Sequence, residues 1–255
     1  FSSSPRTMKT GTLGLTAYIL MSILSAVAIV LITKRLFFIY HFKWATSLLV
    51  LHQGSCAAIA WVFVPLGYVA QPKFNTLSLL GGSLGALSIA FLNASLWYNA
   101  VGTYQVFKLL TVPVIAGIDF VWTGKQLSRL QLLALACIVV GTGFVTVAEV
   151  ELRVIGTVMG ILATSVTALH QIMMEKVTRE NQFDKMQTLL VYTTISTPLC
   201  FVIAAFTEPL TEVSAYEWSR GALAHLILSC VVFYFVAISM VVIVNAASPL
   251  TFQVV

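Results

Sequence analysis

The chain has 255 residues, of which 59% are hydrophobic and 9% charged, and its mean hydropathy is +0.96. Soluble domains carry about 25% charged residues, so the composition excludes a soluble globular protein and defines a polytopic membrane protein. The net charge of +5 comes from basic residues scattered among short loops rather than clustered, so it says little about nucleic acid.

Residues 1–10 are polar, with Arg6 and Lys9, and read as a cytosolic tail. No cleavable signal peptide is evident and the first residue is Phe1, so the chain is expected to be a fragment at its start. The first apolar span covers 11–33 and stops at Lys34-Arg35. The second covers 44–66 and carries His52 and Gln53. The third, 77–99, opens with Gly81, Gly82 and Gly85, small residues that let neighbouring helices approach closely.

The fourth span, 99–122, holds the polar groups that matter most. Lys108 lies inside it, and a lysine near the middle of a membrane helix costs about 2.5–3.5 kcal/mol, so it should face a protein interior or a water-filled cavity. At 100° per residue, Tyr104, Thr111, Ile115 and Asp119 share its face and Gln105 lies beside them. Pro113 cannot donate to the carbonyl of Leu109 and is expected to kink the helix. Asp119 is eleven residues from Lys108, about 16 Å along the helix, too far for a direct pair. A cation, hydroxyls, an amide and a bend in one span predict a site for a polar ligand.

Span five covers 129–148. Span six covers 155–177 and is closed by a charged loop at 175–185. Span seven covers 186–206 and precedes an acidic loop with Glu208, Glu212 and Glu217. Span eight covers 222–245, and a ninth begins at Ser248-Pro249. Cys56, Cys137, Cys200 and Cys230 all sit in apolar runs without metal-type spacing and are expected to be small buried hydrophobes. His52 and His170 read as satisfied core histidines. No paired carboxylates, H-E-x-x-H helix or phosphate loop occurs, so neither an enzyme nor a bound cofactor or metal is expected.

An internal repeat organises the spans. Thr103-Tyr104-Gln105-Val106 recurs as Thr251-Phe252-Gln253-Val254, 148 residues later, each copy preceded by Asn-Ala. Five spans fit in that offset, and an odd number inverts the second copy in the membrane. The expected division is a first five-helix repeat at 11–149 and a second at 150–255, incomplete in its ninth helix. About 40 to 50 residues would then follow Val255. With the N-terminus in the cytosol, that side holds eight basic loop residues and the other side five (Lys34, Arg35, Lys43, Arg153 and Arg220). The bias favours this orientation.

Phe91-Leu92-Asn93-Ala94-Ser95-Leu96, the stretch from Asn99 to Pro113 and Ser248-Pro249-Leu250-Thr251-Phe252-Gln253-Val254 resemble the triose-phosphate/nucleotide-sugar transporter family of the drug/metabolite transporter superfamily. The closest resemblance is to its UDP-sugar branch, with supporting matches at Lys34, His52, Gln171-Ile172-Met173 and Met186-Gln187. The resemblance implies an all-α membrane protein of ten helices in two inverted repeats, of which about eight and a half fall within this chain. It also implies alternating access and exchange of a nucleotide-sugar, UDP-linked, for the nucleoside monophosphate across the Golgi membrane. Lys108 matches the family's phosphate-binding lysine, and Thr251 and Phe252 match the start of its ninth-helix motif.

The substrate-binding set expected from residues and resemblance together is Lys34, Tyr104, Gln105, Lys108, Thr111, Tyr192, Thr193, Thr251 and Phe252. The partners expected are the sugar-nucleotide substrate and the lipid bilayer, with a homodimer left open and no nucleic acid. Span seven reads Val191-Tyr192-Thr193-Thr194 where relatives place a tyrosine pair or Tyr-Gln before a small residue and proline, which leaves the nucleobase open. Two alternatives also stay open. One is a sugar-phosphate/phosphate antiporter of the plastid envelope, and the other is a non-transporting membrane interaction protein, should the chain naturally end in its ninth span. The endoplasmic reticulum is the alternative location.

Overall fold

The computed structural model describes residues 12–99, 101–124, 128–149 and 154–247. Among these the chain forms helices and no strand: α1 (Thr12–Phe38), α2 (Ala45–Val62), α3 (Thr76–Tyr98), α4 (Val101–Thr123), α5 (Arg129–Glu149), α6 (Val154–Asn181), α7 (Lys185–Thr207), the short α8 (Leu210–Ser214) and α9 (Arg220–Ala246). By length and composition, α1, α2, α3, α4, α6, α7 and α9 can each cross a membrane, and α5 carries a described apolar run at Gln131–Gly141. An all-α polytopic architecture follows, because in lipid every backbone polar group must be satisfied within its own helix.

Helix starts are set by local chemistry. Asn75, Asp184 and Ser219 cap α3, α7 and α9, accepting from Ser78 N at 2.8 Å, Gln187 N at 2.7 Å and Ala222 N at 3.1 Å. Gly124 ends α4 at φ 65°, a left-handed turn that glycine adopts without strain.

Several boundaries differ from the sequence expectation. α1 does not stop at Lys34-Arg35 but runs on to Phe38, since long basic side chains extend to the interface without breaking a helix. α6 continues through Glu175, Lys176 and Arg179 to Asn181, with Lys176 paired to Glu180 at 3.8 Å, so the expected charged loop shrinks to three residues at 182–184. α2 ends at Val62, and the turns at 63–69 take up the rest of the second span. The ninth span's opening residues, 248–255, lie outside the described ones, as does the tail at 1–10.

The helices pair in a definite pattern. α1 packs along α9, α2 along α7, and α3 along α6 and α7, while α4 lies against α6 and α5. The main core lies where α2, α6, α7 and α9 meet, around Cys56, Met174, Leu189, Tyr192, Val241 and Val242. Glycines permit the closest crossings. A Cβ on Gly82 would come within 2.6 Å of Ile195, one on Gly81 within 3.2 Å of Val177, and one on Gly160 would enter the Phe107 ring. Large apolar residues such as Leu24, Leu31, Phe201 and Phe206 stay exposed on the outer faces of α1 and α7, as a lipid-facing surface demands. Cys56 and Cys200 are buried as expected, but Cys137 is exposed on α5 and Cys230 is half-buried on α9. An apolar span places a cysteine as readily on its lipid face as on its packed face.

Candidate functional site

Two polar constellations lie within the membrane-spanning helices. The first is on α4. Lys108 is exposed, with its ammonium 5.9 Å from the centroid of the Tyr104 ring one turn earlier. Gln105 and Leu109 are exposed beside it, and Tyr104 is half-buried. Thr111 and Ile115 behave differently. Thr111 is 2% exposed, its hydroxyl returning to the Phe107 carbonyl at 3.5 Å, and Ile115 is fully buried against Ala168 and Ile172 of α6.

The expected inward stripe is therefore divided. Ahead of Lys108 the buried positions are Thr103, Val106 and Phe107, on the side of the helix opposite the lysine. From Thr111 onward they are Thr111, Val112, Ile115 and Ala116, on the lysine's own side. This change of side takes place around Pro113, through which α4 runs without interruption. Lys108 thus occupies the last turn in which its face is uncovered. The close approach of α4 to α6 is fixed by Gly160 and by Thr164, whose hydroxyl meets the Phe107 carbonyl at 2.8 Å. An ammonium, a π face and a side-chain amide on one open helix face can hold an anionic group such as a phosphate.

The second constellation is a buried seam across α2, α6, α7 and α9. Gln53 Nε2 donates to the Tyr192 hydroxyl at 3.1 Å. The Tyr192 ring lies 5.1 Å from that of His170, and His170 Nδ1 meets the Gly81 carbonyl at 3.1 Å. A carbonyl only accepts, so the His170 proton is on Nδ1. His52 Nε2 is 2.9 Å from Ser229 Oγ, and that hydroxyl donates onward to the Leu226 carbonyl at 2.7 Å, so His52 donates from Nε2. Both histidines are buried and bonded, as expected of core histidines. Gln53 Oε1 and Gln171 Oε1 are buried without a hydrogen-bond partner among the described residues.

The structure brings Lys108, Tyr104 and Gln105 together on an open face. Tyr192 and Thr193 belong to the seam, with Tyr192 7% exposed and Thr193 fully buried with its hydroxyl bonded to the Leu189 carbonyl at 2.8 Å. Lys34 is exposed near the end of α1, and Thr251 and Phe252 lie outside the described residues. Between α3, α6 and α7 a small cavity is lined by Ser78, Gly81, Gly82, Thr188 and Tyr192. It has room for about one water and none for a sugar nucleotide. Gln53, which holds the Tyr192 hydroxyl, was not among the expected site residues. Its signal in the sequence is an amide beside a histidine within an apolar span.

The fold and these polar groups define a multi-pass all-α membrane protein with a lysine-bearing open face inside the bilayer region. No family model matches the chain. Among curated proteins it is 28% identical to UDP-xylose transporter 2 of Arabidopsis thaliana over 99% of this chain and 72% of that protein. It is also 28% identical to UDP-rhamnose/UDP-galactose transporter 2 of the same plant, over 92% of this chain and 69% of that protein. UDP-xylose transporter 3 matches at 28% over 95% of the chain and 69% of its own length. Over most of its length the chain is thus similar to UDP-sugar transporters.

Proposed function

We propose that this protein is an antiporter that carries a UDP-sugar across the Golgi membrane in exchange for the nucleoside monophosphate, by alternating access. The observation that carries the reading is Lys108: an exposed lysine on a membrane helix, beside a tyrosine ring and an amide, in a chain similar to UDP-sugar transporters. Lys108 would hold the diphosphate, with Tyr104 and Gln105 lining its approach. In a cavity of low dielectric, a charged pair with phosphate is far stronger than in water. An empty carrier would leave that ammonium uncompensated, which favours exchange over one-way movement.

Helix packing supports the inverted repeat. If α6, α7 and α9 are the counterparts of α1, α2 and α3, the pairing of α1 with α9 mirrors that of α6 with α3, and α2 with α7 is its own image. The test is Lys108→Gln in proteoliposomes. Exchange should fall by about 10–100-fold, the loss of one charge-assisted contact, while thermal unfolding is unchanged. Exchange at the wild-type rate would remove Lys108 from the site.

A further inference from the structure

The end of the bundle where α1 turns into α2 is closed by groups from the far half of the chain. α2 begins after Trp44, whose side chain makes no cap bond. Its first free amides are served instead by Glu208, some 160 residues away. Thr46 N donates to Glu208 Oε1 at 2.7 Å, and Ser47 N and Ser47 Oγ donate to Oε2 at 2.8 and 2.6 Å. Glu208 is itself the residue that ends α7, its N–H bonded to the Ala204 carbonyl. Its negative charge therefore sits at the unfavourable, C-terminal end of its own helix and at the favourable, N-terminal end of α2. Its stabilisation by the start of α2 lasts only while the two helix ends stay together.

Aromatic packing seals the same end. Phe42 is fully buried, with ring centroids of Trp44, Tyr216 and Trp218 within 5.2–5.3 Å. The Tyr216 hydroxyl donates to the Tyr40 carbonyl at 2.6 Å, and the Tyr40 ring lies 5.1 Å from that of His225. The 39–44 turn of the first half is thus held by residues 208–225 of the second. At the opposite end the halves meet through Gln187 Nε2 to the Gln71 carbonyl at 3.0 Å, Asn75 Nδ2 to Asn181 Oδ1 at 2.6 Å and the Lys185 ammonium 5.9 Å from the centroid of the Tyr18 ring.

We propose that Glu208 is a gate latch: its carboxylate, clamped on the start of α2 under the Phe42 aromatic plug, holds this side of the carrier closed and lets go when the halves part there. The proposal rests on the alternating-access reading, but its test does not use transport. A reporter thiol is placed on the open face of α4 by Leu109→Cys in the full-length protein carrying Cys137→Ser and Cys230→Ser. The rate of its modification by a membrane-impermeant thiol reagent is then measured from each side of sealed, uniformly oriented vesicles without substrate.

Glu208→Gln, which keeps the shape and removes the charge, should raise the rate from the side bearing residues 208–219 about tenfold and lower it from the other side. Ser47→Ala, which removes one of the three bonds, should act in the same direction by about threefold, and decides alone if Glu208→Gln fails to fold. Unchanged rates, or a rise from both sides together, would overturn the latch and leave Glu208 as a helix cap. A one-sided shift in a protein that exchanges no UDP-sugar would keep the latch and overturn the substrate reading.

Discussion

Replacing Gly85 by alanine probes the buried seam around Tyr192. A Cβ at Gly85 would press into the Tyr192 ring and lie 2.9 Å from His170 Cε1. Ordinary contact is about 3.5–4 Å, so the tyrosine must retreat by about 1 Å or more. It has little freedom to do so, being 7% exposed, packed on His170 and holding the Gln53 amide at 3.1 Å. Overpacking of this kind costs about 1–3 kcal/mol, and the weakened bond to Gln53 adds about 0.5–1.5 kcal/mol. For a chain of this size the sum lowers Tm by about 5–15 °C. Gly117→Ala is the control, because a Cβ there meets nothing within 4 Å. The gain in helix propensity, about 0.5–1 kcal/mol, should hold or slightly raise Tm. Thermal unfolding of the three purified proteins in one detergent decides the matter. A Gly85→Ala protein that melts with the wild type would refute the packing of Tyr192 described above.

Further outcomes follow from single contacts. Phe42→Ala empties a fully buried aromatic site and should cost about 3–5 kcal/mol, read as a fall in Tm larger than that of Gly85→Ala. Asn75→Ala removes the α3 cap and its bond to Asn181 and should cost about 1 kcal/mol, with little effect on exchange. Lys108→Arg keeps the charge and should retain part of the exchange that Lys108→Gln loses. Equal loss in both variants would make the ammonium's shape, rather than its charge, the requirement.

The spans were legible in the sequence because apolar length alone marks a membrane helix, and each of the eight expected spans overlaps a helix of the structure. The ends of α1, α2 and α6 were not. Lys34 and Arg35 read as a stop, yet α1 passes through them, because charge at a membrane surface does not terminate a helix. Gly81, Gly82 and Gly85 announced a close crossing, and they lie against Val177, Ile195 and Tyr192. Lys108, Tyr104 and Gln105 shared a face by period alone and do share one. That Thr111 and Ile115 would be covered by α6 could not be read from one helix, since burial depends on which neighbour crosses it and where. The capping of α2 by Glu208 joins groups far apart in sequence, and the acidic loop gave no sign of it.

The proposed activity is exchange of a UDP-sugar for a nucleoside monophosphate. Its most direct test is counterflow into proteoliposomes of the full-length protein, preloaded with UMP, GMP, CMP or inorganic phosphate and offered labelled UDP-xylose and UDP-galactose outside. Rapid uptake of a UDP-sugar is expected with UMP inside and none with the other three. Uptake driven by phosphate, or none with any internal partner, would contradict it.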